Sequence, residues 1–205
     1  MKKPFTVVQG NYVSNLEGIT EGYSITQNNG SYQVIINVSS ENIDNIFQSL
    51  CKKVETPGFL LLEHGTNENI EKQLRKSDSD PFHKDVYYLD GLNWESFLNI
   101  YIEFRELLIN DGEINFGFGS HNGMDEVFIG PYKIFTIFTH EVEKYIEVLS
   151  YLGFEKYEAI KTVWDNFIDS TPGERMIIKH NGNDIYEMIE MLTKKGLYFA
   201  ERRED

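Results

Sequence analysis

EINFGFGSHNGMDEVFIGPYKIFTIFTH, residues Glu113 to His140, is the stretch around which the rest of the chain is read. It lacks a helical period, and its apolar positions alternate: Phe116 with Phe118, Val127 with Ile129, and a third set opening at Ile134 or Phe135. Alternation at period two puts such side chains on one face of a strand, so the stretch predicts neighbouring antiparallel strands. Between them sit His121, Asn122, Asp125 and Glu126, the densest polar cluster between strands, beside four glycines.

Upstream, Tyr23 and Ile25 alternate towards Asn28-Asn29-Gly30, and the run Tyr32 to Val38 follows. Asn-Gly supplies the positive φ of a tight turn, so this is a hairpin. Ile43, Ile46, Phe47, Leu50 and Val54 have helical spacing behind a Ser40 cap, and Pro57 stops them. Phe59 to Leu62 is a continuous apolar run that suits a strand covered on both faces. Residues 65–84 hold few large apolar groups and a Ser-Asp-Ser-Asp-Pro breaker, which marks a mobile loop or an internal subdivision.

Val86 to Leu89 reads as a short strand. Asn93 then caps a long helix with the stripe Trp94, Phe97, Leu98, Tyr101, Phe104 and Leu108. Ile100, Ile102, Leu107 and Ile109 widen that stripe, so nearly complete burial is expected. Gly112 is expected to end the helix in the left-handed conformation.

Downstream, Val142 to Leu152 predicts a helix ended by Gly153. Ile160, Val163, Trp164 and Phe167 predict a second, giving an αα-hairpin. A strand over Met176 to Lys179, a helix from Ile185 to Lys195 with the Asp184 and Glu187 capping box, and a strand over Leu197 to Ala200 complete the chain. The sum is one α+β domain over residues 1–205, a mostly antiparallel sheet with helices packed on it. The order from residue 32 to 118, strand, helix, strand, strand, helix, strand, fits a ferredoxin-like βαββαβ unit.

At 205 residues, 40% hydrophobic and 14% aromatic, the chain can bury a substantial core. Cys51 is its one cysteine, so no intramolecular disulfide forms. With no signal-like segment either, a cytoplasmic protein is expected. Net charge is −14 and uneven: residues 1–84 carry 8 basic and 10 acidic side chains, residues 85–205 carry 11 and 23. Such a field repels phosphate backbones and favours a basic protein partner over nucleic acid. No run of about 18 apolar residues points to a membrane.

The chemistry-bearing patterns are weak. Gly117, Gly119 and Gly123 read GxGxxxG with a strand following, whereas a dinucleotide fingerprint needs GxGxxG leading into a helix, so no cofactor is expected. Ser120, His121 and Asp125 are the residue types of a hydrolytic triad crowded onto one turn. His121 and His140, with Asp125 and Glu141, are the candidates for metal ligands, but His140-Glu141-Val142-Glu143-Lys144 lacks the second histidine of HExxH. Cys51 follows Leu50 on a core-facing helix, where thiols are inert.

The expected function is that of a non-enzymatic, acidic binding protein, an immunity- or inhibitor-type protein that neutralises a basic partner. Asp125, Glu126, Glu141, Glu143 and Glu147 are its candidate contacts, with Phe128 and Tyr132 as apolar anchors. The alternatives are a small hydrolase or metal-dependent enzyme using the His121 to His140 region, and a structural module.

Overall fold

The computed structural model describes residues 3–204. The central stretch forms β6 (Asn115–Ser120), β7 (Glu126–Ile129) and β8 (Phe135–Thr139), an antiparallel meander with Phe118 opposite Val127 and Val127 opposite Ile137. Both sides of the meander are extended by other strands. β8 pairs with β3 (Ser31–Asn37), whose hairpin partner β2 (Gly22–Asn28) is joined to it through Asn29 and Gly30, both at positive φ. β6 pairs with β4 (Gly58–Gly65), which pairs with β5 (His83–Leu92), and β5 pairs with β10 (Tyr198–Glu204). The result is an eight-stranded antiparallel sheet, ordered β10-β5-β4-β6-β7-β8-β3-β2.

One face of this sheet carries Leu60, Leu62, Phe116, Phe118, Val127, Ile129, Phe135, Ile137, Val34 and Ile36, all buried. Four helices bury their apolar stripes on it: α1 (Ile43–Cys51), α3 (Trp94–Asn110), α4 (Glu143–Tyr151) and α5 (Ile185–Thr193). Aromatic rings make the join. Phe97 of α3 stacks on Phe118 at 4.0 Å between centroids, and Phe47 of α1 meets Phe116 edge-on at 5.0 Å. Asn93 caps α3 by accepting from the Ser96 amide, and Asp184 with Glu187 forms the capping box of α5.

Several sequence expectations are corrected. The order strand, helix, strand, strand, helix, strand holds from β3 to β6. However, β3 pairs with β2 and β8 rather than with β5 or β6, so the ferredoxin-like pairing is not formed. Residues 65–84 include α2 (Glu68–Leu74), and the buried Glu71 fastens that segment to the His83 amide at 2.7 Å. Helix α3 is half-buried: Ile102 is 48% exposed, and Trp94 and Ile100 are partly exposed. Gly112 is needed for close approach and not for positive φ, because a Cβ there would lie 2.0 Å from the Gly10 carbonyl oxygen.

The αα-hairpin does not form either. After Gly153 (φ 82°) the chain becomes a belt with one 3-10 turn, Val163–Asn166, crossing one end of the sheet. Its polar backbone finds partners outside itself: Lys156 bridges Tyr23 of β2, and Asn37 donates to the Lys161 carbonyl at 2.7 Å. Trp164 and Phe167 close on Tyr132 instead of forming a helical stripe. In place of a strand over Met176 to Lys179, the two-residue β9 (Glu174–Arg175) pairs with β1 (Asn11–Tyr12).

Candidate protein-docking face

Among the described residues, none of the four helices of the core packs on the second face of the sheet. The register sets its side chains in rows. One row runs Tyr198, Tyr88, Leu61, Gly117, Phe128, Thr136 and Ile35, and the next runs Phe59, Gly119, Glu126, Phe138 and Gln33. Antiparallel sheets commonly leave one face to water, and that face is then polar. Here it is aromatic: Phe138 is 43% and Tyr198 48% exposed, while Phe59, Tyr88 and Phe128 are partly exposed.

The two glycines of β6 make this paving possible. A Cβ on Gly119 would lie 2.3 Å from the Phe59 ring, and one on Gly117 would lie 3.1 Å from the Phe128 ring and 2.7 Å from the Val127 oxygen. The rings therefore lie across the strand where side chains are missing. Glu126 stands directly opposite Gly119 on one side and Phe138 on the other, two residues before Phe128 on the same face. Its carboxylate has no hydrogen bond or ion pair among the described residues. Burial, and then the neighbouring Glu63 carboxylate, raises its pKa from the ordinary value, with Arg203 opposing. Glu63 itself is matched, by Lys84 at 3.0 Å and Arg203 at 3.6 Å. At the upper margin Asp90 accepts from Tyr198 at 2.7 Å and faces His121 Nε2 at 3.1 Å, and the His121 ring rests on Phe59 at 5.2 Å.

Glu126 and Phe128 are thus brought together on one surface, and the remaining sequence candidates are elsewhere. Asp125 is buried and consumed by the fold, accepting from Thr139 at 2.6 Å and pairing with Lys144. Tyr132 is a packing residue with φ 56°, its ring 5.1 Å from Trp164 and 4.9 Å from Phe167. Glu141 lies before α4, where it shares Lys144. Glu143 and Glu147 are exposed on α4, in the helix layer on the opposite side of the sheet. His121 and His140 make separate contacts, His140 Nδ1 donating to the Gly30 carbonyl at 2.9 Å. Among the described residues no three His, Cys, Asp or Glu side chains are grouped to hold a metal. Cys51 is fully buried, and burial pushes its thiol well above the ordinary value.

Phe59 and Phe138 were missed by the sequence reading. The signal was present in the second case, since Phe138 falls out of phase with Phe135 and Ile137 and so belongs to the other face. Phe59 was hidden in an unbroken apolar run.

A cleft of about 570 Å³ lies on the helix side, lined by Thr66, Glu71, Phe82, Arg175, Ile177 and Tyr186. Of its lining groups, Glu71 faces His83 at 3.2 Å and Arg175 faces Glu113 at 3.9 Å, and Thr66 ties the cleft to a buried network beside it. Asp85 takes a two-pronged contact from Arg202 at 2.6 and 2.9 Å and a bond from Thr66 at 2.7 Å. Burial pushes the Asp85 pKa up, but these bonds together hold it below the ordinary value. Burial likewise lowers His64, whose Nδ1 donates to the Gly65 carbonyl at 2.7 Å. An internally neutralised network of this kind orders the sheet edge and leaves little charge for a ligand. No helix among the described residues is long and apolar enough to cross a membrane. No protein-family model matches the chain, and none of the curated proteins or solved structures compared with it matches either.

Proposed function

We propose that this protein works by binding a basic protein across the open face of its sheet, as an immunity- or inhibitor-type protein does when it neutralises its target. The observation that carries this reading is Glu126, a largely desolvated carboxylate without an ion pair among the described residues, set beside the exposed Phe138 and the partly exposed Phe59 and Phe128 on a face that no described helix covers. Leaving a charge unmatched in such a place is costly, and a cationic partner removes that cost while the rings supply buried apolar area. The net charge of −14 adds attraction at long range.

The test compares the wild-type chain with a Phe128→Ser, Phe138→Ser double variant, each immobilised and exposed to native lysate at about 0.1 M and about 1 M salt. Proteins of high isoelectric point are expected on the wild type at low salt, and they should be depleted both by salt and by the double variant. Retention of the same proteins by both chains would place binding elsewhere on the molecule.

A further inference from the structure

We infer that Glu126 is the seat of one arginine side chain of the partner, held between the carboxylate and the rings of Phe59, Phe128 and Phe138. This rests on reading the open face as the docking surface, and it names the chemistry that the face selects.

Three features of the fold converge on that position. First, the rings come from three strands. Phe59 of β4 lies over Gly119, Phe128 follows Glu126 by one pleat on β7, and Phe138 of β8 is its direct cross-strand neighbour. Of the three, Phe138 is directly opposed to Glu126, which holds their Cβ atoms about 5 Å apart, and Phe59 is reached across Gly119, which carries no side chain to fill the space between. Second, the Phe59 ring is anchored, packing on Tyr88 at 5.4 Å and on His121 at 5.2 Å. Third, the charge inside forms no ion pair among the described residues: the nearby Arg203 is engaged by Glu63 and Glu201, and Lys84 by Glu63.

A cation entering this box meets one carboxylate and several electron-rich ring faces, and both attract it. Between the two cationic side chains the geometry favours arginine. Its planar guanidinium stacks on a ring while donating to a carboxylate from its edge, and it is less strongly hydrated than an ammonium. Lysine offers a compact, heavily hydrated charge that stacks poorly.

The experiment titrates the full chain, isotopically labelled, with N-acetyl-arginine amide, N-acetyl-lysine amide and N-acetyl-citrulline amide, and follows chemical shifts. Citrulline keeps the planar shape of arginine and lacks the charge. Saturable shifts centred on Glu126, Phe59, Phe128 and Phe138 are expected with the arginine probe in the millimolar range. They should be at least about tenfold weaker with lysine and absent with citrulline. Glu126→Gln and Phe138→Leu, each checked by its spectrum to be folded, should weaken the arginine response about tenfold or more. An equal response to citrulline or lysine, no saturable response, or a response unchanged in Glu126→Gln would overturn the assignment. Such a failure, with lysate capture still dependent on Phe128 and Phe138, removes the arginine seat and leaves the docking face standing. The arginine response without that capture removes the docking reading.

Discussion

Glu126 and Lys133 are titratable groups whose charged forms folding disfavours, and each gives stability a pH dependence of definite sign. Burial and the Glu63 carboxylate raise Glu126, so the folded chain keeps that proton to higher pH than the unfolded chain does. The contribution of such a group is fully present below its unfolded value and is lost as pH rises through the folded value. Glu126→Gln is therefore expected to be more stable than wild type at neutral pH, by about 1 kcal/mol. The advantage should vanish below the ordinary glutamate range, which denaturant unfolding at the two pH values measures. Lys133 is buried in the left-handed conformation, with its ammonium donating to the Leu108 carbonyl at 2.9 Å and the Ile114 carbonyl at 2.7 Å. Burial lowers its pKa to about 7, with Asp111 opposing. The unfolded lysine keeps its proton to far higher pH, so this group's penalty is complete below about 7 and is relieved above it. Wild type should gain stability relative to Lys133→Met between about pH 6 and about pH 9, and a constant difference would show that the ammonium stays charged.

At the scale of elements, α3 separates two aromatic residues that its sequence places on one stripe. Phe104 is 5% exposed in the core, so Phe104→Ala should cost about 3 to 5 kcal/mol in denaturant unfolding, through lost transfer energy and a cavity. Trp94 lies in the first turn, partly in water, with one ring contact to Phe97 at 5.9 Å. Trp94→Ala should cost about half as much. The segment between β4 and β5 is tied down at Glu71, but its tip is held mainly by short-range bonds, from Arg75 to the Asp78 and Asp80 carbonyls and from the Lys76 amide to Asp80. Local bonds of this kind open without disturbing the core. Limited trypsin digestion should cut first between Lys72 and Lys76, and first cuts in α3 or in β6 to β8 would contradict this.

The whole molecule is a two-layer object with charge on both sides and aromatic paving on one. Among the sequence candidates, Glu126 lies on the open face, and Glu143 and Glu147 lie on the helix layer behind it. Long-range attraction sums over the entire charge distribution, whereas a desolvated contact acts only where surfaces meet. With a basic protein recovered on the open face, neutralising Glu143 and Glu147 together should slow association modestly and leave dissociation unchanged. Glu126→Gln should instead speed dissociation about tenfold or more. Surface-based kinetics at two salt concentrations separates these outcomes. Equal effects on dissociation from both sets would mean that the helix layer is part of the interface.

What the sequence by itself determined is what depends on neighbours along the chain. Period-two alternation specified β6, β7 and β8, Asn-Gly specified the β2 to β3 turn, and Asn93 and Asp184 specified helix starts, because each rests on sterics or hydrogen bonds within a few residues. Apolar spacing failed over residues 160 to 167, where Trp164 and Phe167 found an aromatic partner in Tyr132 on a distant loop. The tertiary structure alone decided strand order, and with it the charge pattern. Asp125 and Glu126 are adjacent in sequence and point to opposite sides of the chain, so one meets Thr139 and Lys144 while the other stands opposite Phe138 on the open face without an ion pair among the described residues. Which carboxylate is neutralised, and which is left facing outward, depends on cross-strand partners that no local pattern encodes.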